Sequence, residues 1–395
     1  MVSDKIKVIY LHNTKIFYSA LILANGFRHK QLLLTSIIAA AICCVSANCH
    51  AQEYKLPDPC LPAPCGPSTD TLEICILGDM MMHSGQIENA STGTSEYDFS
   101  SYFHHLEHKI KNADIAIANM EFTLAGKPYT GYPAFSAPEA YAKYLAELGI
   151  DVFLTANNHI FDKGAAGAQR TTDEFQKLGV HITGIAEDQQ MYEQAFPLIL
   201  ECKGATVALM NVTYGTNLGT GKEWPKIIRL SEKESMAAIL AKADTCDFTL
   251  VLPHWGNEYQ LKHSASQEKD ARWFIDHGAD AIIGTHPHVI QDIEAIGGVP
   301  VFYSLGNAVS NMSATNTQME LMVTLKIIRY HNGNTKLLAP EYELLWCSRP
   351  GGYSTKYTVL PVEQFIGTRD SWHGPWEYDK MIETAKRIKN ILDNE

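Results

Sequence analysis

Basic residues are in deficit in this chain, 32 against 44 acidic ones, for a formal charge of −12. A broad polyanion-binding surface is therefore not indicated, and no segment has the form of a nucleic-acid module, so nucleic acid is not an expected partner. Local basic patches stay open. There is no Cys-x-x-Cys pair, which removes the usual thiolate spacing of zinc sites. Internal repeats, a linker after residue 70 and a second change of composition are also missing. What remains, 46% hydrophobic and 19% charged residues over 395 positions, is ample for a large folded domain and unlike a disordered chain.

Long apolar runs are scarce as well. The one that stands out, Leu32 to Val45, follows the basic cluster Arg28-His29-Lys30 and falls short of the ~20 residues of a bilayer span. It reads as an export signal over residues 1–51, with Cys49-His50-Ala51 before Gln52 as the cleavage site. Two alternatives stay open: retention of the run as an anchor, and a lipoprotein box at Ser46-Ala47-Asn48-Cys49. The expected location is the periplasm or cell envelope. A proline- and cysteine-rich linker occupies residues 52–70, where Cys60 and Cys65 are placed to form a local disulfide in an exported protein. Cys75, Cys202 and Cys246 fall in apolar strand-like runs and are expected as small buried hydrophobes.

From residue 71 onward strands and helices alternate, which predicts one α/β domain over 71–395 with β-hairpins in its later half. Strands are expected at 71–77, 114–118, 151–156, 248–252, 281–284 and 299–303. Helices are expected at 99–112, after Ser136, at 167–178, after Ser231, at 267–277 and at 378–392. Ser136 with Glu139, and Ser231 with Glu234, have the spacing of capping boxes. The segment 198–212 reads as a hairpin turning at Lys203-Gly204, and a second turns at Asn332-Gly333. His104, His105 and His108 are expected as solvated helix residues. The irregular stretch Tyr214 to Pro225, with an exposed-looking Trp224, has the length of a functional loop.

The chemistry lies at strand ends. In His286-Pro-His288 two imidazoles one residue apart project to the same side of an extended chain, so both can converge on one point. Four other strands also end in polar residues: Asp79; Glu121; Asn158 with His159; and His254. In open α/β sheets ligands bind beyond the carboxyl ends of the strands. This donor set mixes oxygen and nitrogen without thiolate, which suits manganese, iron or zinc and disfavours calcium and iron–sulfur clusters. One or two divalent ions are expected as cofactor.

The segments Gly78-Asp79, Asn119-Met-Glu121, Asn157-Asn158-His159-Ile-Phe-Asp162-Lys-Gly164, His254-Trp-Gly-Asn-Glu258-Tyr259, Gly284-Thr-His286-Pro-His288-Val-Ile-Gln291 and Tyr303-Ser-Leu-Gly-Asn307 resemble, in order, the motif series of the CapA family. That family is named for poly-γ-glutamate capsule synthesis and is related to the calcineurin-like metallophosphoesterases. The resemblance spans roughly residues 72–310 and implies a metallophosphoesterase-like sandwich of two mixed β-sheets flanked by helices. It implies Asp79 and His288 as ligands of a first metal, Glu121 as a bridge, and Asn158, His254 and His286 as ligands of a second. His159 matches the histidine that protonates the leaving oxygen or stabilises the transition state, and Asp162 and Glu258 match partners that orient histidines. One position departs: Met81 stands where metallophosphoesterases carry a first-metal histidine, and His83 is the nearest alternative. Gln291 and Asn307 are expected to fix loops. The implied partners are an anionic polymer or a phosphoester substrate, other capsule or envelope synthesis proteins, and a membrane only through an uncleaved or lipid anchor. Two functions follow, a metal-dependent phosphoesterase-like hydrolase and a non-catalytic factor for polymer binding, export or assembly.

Overall fold

The computed structural model describes residues 6–8, 71–93, 95–330 and 333–393. By internal contacts the chain divides into Met1–Tyr10 with Pro67–Glu395, and Leu11–Gly66. The second unit lies wholly outside the described residues, as do the expected cleavage site, linker, Cys60, Cys65 and Asn332. Among the described residues no helix is long and apolar enough to cross a membrane.

Two mixed sheets carry the architecture. The first runs Thr358–Pro361, Glu341–Ser348, Met319–Arg329, Thr71–Met80, Ile115–Met120, Val152–Leu154 and His181–Thr183, with Thr335–Leu337 beside Met319–Arg329. Its later strands pair antiparallel up to Thr71–Met80, and from there on the pairing is parallel. The second sheet runs Lys7–Val8, Leu198–Cys202, Ala205–Thr213, Phe248–His254, Ala281–Ile283, Val299–Phe302 and Ile293–Ile296. Its centre is parallel and both edges are antiparallel.

Strand alternation explains how the sheets stack. Successive side chains face opposite sides, so Ile74 and Ile76 enter one core while Cys75 and Leu77 enter another. The inner core joins Ile115, Ile117, Val152 and Leu154 of the first sheet to Val207, Leu209, Leu250 and Leu252 of the second. Outside the first sheet, Ala116, Ala118 and Phe153 are covered by helical residues including Ile110, Tyr141, Leu145 and Phe175. Outside the second, Met210, Val251 and Ile282 meet Met236, Ile239, Leu240 and Phe274. The result is the expected sandwich, helix–sheet–sheet–helix. Cys75 and Cys202 are buried, as their apolar runs require, and Cys246 is half-buried.

Some local expectations are corrected. The helix expected from residue 99 begins only at Glu107. Phe99, Tyr102, Phe103 and Leu106 are buried in turns before it, anchored where Ser100 bonds the Asp98 carboxylate. Neither expected capping box forms. The Ser136 hydroxyl donates to Gly126 O at 2.7 Å, and the Glu139 carboxylate pairs with Arg170 and the Tyr129 hydroxyl. The helix Lys233–Ala243 has no side-chain cap. Helix Ala265–Asp276 does start in a capping box, formed by Ser264 and Gln267. Trp224 is half-buried, with Tyr192 and the Lys226 ammonium against its ring.

Candidate metal centre

Parallel pairing brings the carboxyl ends of Thr71–Met80, Ile115–Met120 and Val152–Leu154 to one edge of their sheet, and those of Phe248–His254 and Ala281–Ile283 to one edge of the other. The two edges meet at a tight backbone contact, where Gly78 lies so close to the Gly306 carbonyl that an added Cβ would sit 2.1 Å from that oxygen; within the second sheet, a Cβ at Gly284 would sit 2.2 Å from Tyr303 O. Glycine is required at both. Asn211 fastens the seam by accepting from Ala156 N at 2.7 Å and donating to Leu252 O at 2.8 Å.

Asp79, Glu121, Asn158, His159, His254, His286 and His288 are all buried, none more than 4% exposed, and converge on this seam. Glu121 is central. Its Oε1 is buried without a hydrogen-bond partner, although Nε2 of His288, His254 and His159 stand 3.6, 3.9 and 4.0 Å away. Asp79 Oδ2 lies 3.3 Å from His288 Nδ1 and accepts from His286 N at 3.3 Å. Among the described residues the ion-pair partners of these two carboxylates are all imidazoles. His286 Nδ1 is a second buried atom without a partner. Both His286 (φ 102°) and His288 (φ 57°) have left-handed backbones.

The electrostatics describe a hole for a cation. Burial, then the neighbouring Asp79 charge, pushes the Glu121 carboxyl well above its usual range. Burial, then His286, His288 and His159, holds His254 well below the ordinary imidazole value. His286 is lowered to about 3 by burial and His288. Burial also disfavours charge on His288, but the Asp79 carboxylate outweighs it and raises the group. Imidazoles packed around buried carboxylates, with orphaned Glu121 Oε1 and His286 Nδ1, fit a divalent ion. Atoms that could hold an ion fall into two groups sharing Glu121, namely Asp79–Glu121–His254 and Glu121–His286–His288.

Supporting contacts come from both sheets. Asn307 Oδ1 lies 2.9 Å from His288 Nδ1, and Gln291 ties Gln267 to the carbonyls of Gln260 and Lys262. Thr285 Oγ1 lies 3.0 Å from His254 Nδ1, while His254 Nε2 faces Asn158 Oδ1 at 2.8 Å. Asn119, two residues before Glu121, donates to Asp79 Oδ1 at 2.7 Å. Glu320, buried behind Asp79, accepts from Gly78 N at 2.6 Å. Sequence reading missed the roles of Asn119, Thr285 and Glu320. The first two lie inside the quoted motifs at strand ends, whereas nothing local marks Glu320.

His159 is held apart from the ligand groups. Its Nδ1 lies 2.7 Å from Asp162 Oδ2, which also accepts from Phe135 N at 2.8 Å, and its ring packs edge-on against Phe135. Glu258 does not orient a histidine as expected. It is exposed at the rim, bonded to the Tyr259 hydroxyl, and reaches His288 only through its charge. Met81 is buried in the core outside the first sheet. His83 spends Nδ1 on Gln86 Oε1 at 3.1 Å and Asn311 N at 3.3 Å. The loop 214–225 lies against the centre: the Tyr214 ring packs at a tilt of 42° with its centroid 4.6 Å from that of His286, and Asn217 N donates to Asn158 O.

Residues 73–312 match the model of the bacterial capsule synthesis protein family PGA_cap. Over 267 residues the chain is 29% identical to the capsule biosynthesis protein CapA of Bacillus anthracis, covering 64% of this chain and 63% of that protein. Over 273 residues it is 28% identical to the PGA biosynthesis protein CapA of Bacillus subtilis, covering 65% and 68%. The chain thus spans just under two thirds of the first relative's length. Among solved structures, NAD nucleotidase of Haemophilus influenzae aligns with a TM-score of 0.40 at 16% identity, covering 80% of this chain and 63% of that one. The sulfate thiohydrolase SoxB of Thermus thermophilus aligns with a TM-score of 0.39 at 12% identity, covering 72% and 44%.

Proposed function

This chain belongs to the PGA_cap family of bacterial capsule synthesis proteins, and from that premise we propose that it is an exported, divalent-metal-dependent phosphoester hydrolase serving synthesis of an anionic polymer of the poly-γ-glutamate type. The carrying observation is Glu121 Oε1, a buried carboxylate oxygen with no hydrogen-bond partner inside a ring of three imidazoles. Asp79, Glu121, Asn158, His254, His286 and His288 would hold the ion or ions, which supply Lewis-acid polarisation of the scissile group when bound.

The protein's own part is proton delivery and exclusion of water. Asp162 receives the Nδ1 proton of His159 and so leaves Nε2 directed at the ligand cluster. A water adds to phosphorus and releases a proton to solvent, the ester P–O bond breaks, His159 gives an Nε2 proton to the departing oxygen, and solvent returns a proton to His159. Asn158 and His159 are 3% and 4% exposed, so this step takes place nearly dry. Purified protein should contain a divalent ion by elemental analysis and cleave a model phosphodiester with manganese or zinc. His159→Ala should lower kcat by roughly 10²–10⁴-fold with metal content unchanged; full activity in that variant removes the mechanism.

Buried Met81 favours a second reading, because a thioether in the apolar core supplies no donor where the related phosphoesterases carry histidine. In that reading the protein binds the polymer, or assists its export, without hydrolysis. Chelator-sensitive polymer binding with no phosphodiester cleavage selects it.

A further inference from the structure

Arg349 follows the strand Glu341–Ser348. Its backbone N–H is anchored on Glu377 Oε1 at 3.1 Å. Its guanidinium Nε and Nη2 are buried and meet no acceptor among the described residues. A buried donor without a partner is costly, and a charged one more so. Glu377 does not answer it, since its carboxylate is occupied by Gln318 Nε2 at 2.9 Å, the Arg349 amide, and Ser348 Oγ at 2.5 Å.

The neighbouring cations are also held on neutral groups. Lys380 donates to Gln318 Oε1 and Arg387 to Asn316 Oδ1, each at 2.5 Å. Other long cations meet carboxylates, among them Arg369 on Asp379 and Lys109 on Glu343. The segment 307–318 links these groups to the metal centre. Asn307 holds His288, Asn311 N donates to His83, and Gln318 carries Lys380. His83 packs on Phe135, which packs on His159.

We propose that Arg349 is an anion-binding subsite that grips a carboxylate or phosphate group of the polymer. Nε and Nη2 form the side-on fork of a guanidinium, the edge that pairs bidentately with an oxyanion. The inference rests on the reading of the centre as acting on an anionic polymer.

The test is calorimetry on the full chain after chelation, with two probes, inorganic phosphate and a short γ-linked glutamate oligomer. Wild type binds at least one. Arg349→Met weakens that binding tenfold or more while Arg349→Lys falls between, and the Met variant melts no lower than wild type because an unpaired buried charge is removed. Loss confined to the oligomer assigns a carboxylate, and loss confined to phosphate assigns a phosphoryl group. Equal affinity in wild type and Arg349→Met, or no binding of either probe to wild type, overturns the subsite. Phosphodiester cleavage by metal-loaded wild type and His159→Ala separates the two claims. Absent cleavage with Arg349-dependent binding removes the hydrolase and keeps the subsite. His159-dependent cleavage with Arg349-independent binding does the reverse.

Discussion

His159 and Asp162 are the pair whose chemistry a single substitution reads most directly. In Asp162→Asn an amide faces Nδ1 and can stabilise the wrong tautomer. The expected result is a fall in kcat of roughly 10²-fold, with KM and metal content little changed, checked by steady-state kinetics and elemental analysis. His83 offers a test by pH. Its folded value near 4 lies below the unfolded imidazole value of about 6.5, so the folded state binds fewer protons between the two. Its contribution to stability is intact above about pH 6.5 and is lost as pH falls toward 4. In chelated protein, His83→Gln should flatten that part of the stability profile, and denaturant melts across the range would detect it. At this scale the sequence is legible where a side chain directly ends a strand, because strand direction alone points Asp79, His254 and His286 at a common edge. Glu320 was not legible, because it reaches Gly78 from a residue 242 positions away.

Helix starts show why local spelling is an incomplete guide at the scale of elements. Ser136, Ser231 and Ser264 each begin a plausible capping box, but only Ser264 closes one. At Ser136 tertiary competition decides: its hydroxyl finds a carbonyl across a turn, and Glu139 is claimed by Arg170 and Tyr129. Ser264→Ala should therefore cost about 1 kcal/mol by chemical denaturation, and Ser231→Ala should stay within about 0.5 kcal/mol. The contact between Gly78 and the Gly306 carbonyl is less forgiving. Gly78→Ala displaces Asp79 along with the strand end, so it should lower both stability and metal content, read from melts and elemental analysis.

For the whole molecule, alternation of strands and helices made the parallel half of each sheet readable. The antiparallel half was readable only in its hairpins, Leu198–Cys202 with Ala205–Thr213 and Met319–Arg329 with Thr335–Leu337, because Met319–Arg329 also pairs with Thr71–Met80 across most of the chain and no local pattern records such a partner. The seam between the sheets joins metal affinity to global stability. Manganese or zinc at 100 times its Kd should stabilise the fold by about 2.7 kcal/mol, with chelator reversing the gain. Glu121→Gln should abolish that response yet leave the chelated protein at least as stable as wild type, since a buried unpaired carboxylate is gone.

The left-handed backbones of His286 and His288 have one more consequence. A non-glycine residue there stores conformational strain of about 1–3 kcal/mol, and glycine would adopt the same path without it. The chain keeps imidazoles where its backbone would be more relaxed with no side chain, so the pair is a trade of fold stability against ligand chemistry. His286→Gly should accordingly melt above His286→Ala while both bind metal equally poorly, which separates the cost of the loop's shape from the worth of its ring.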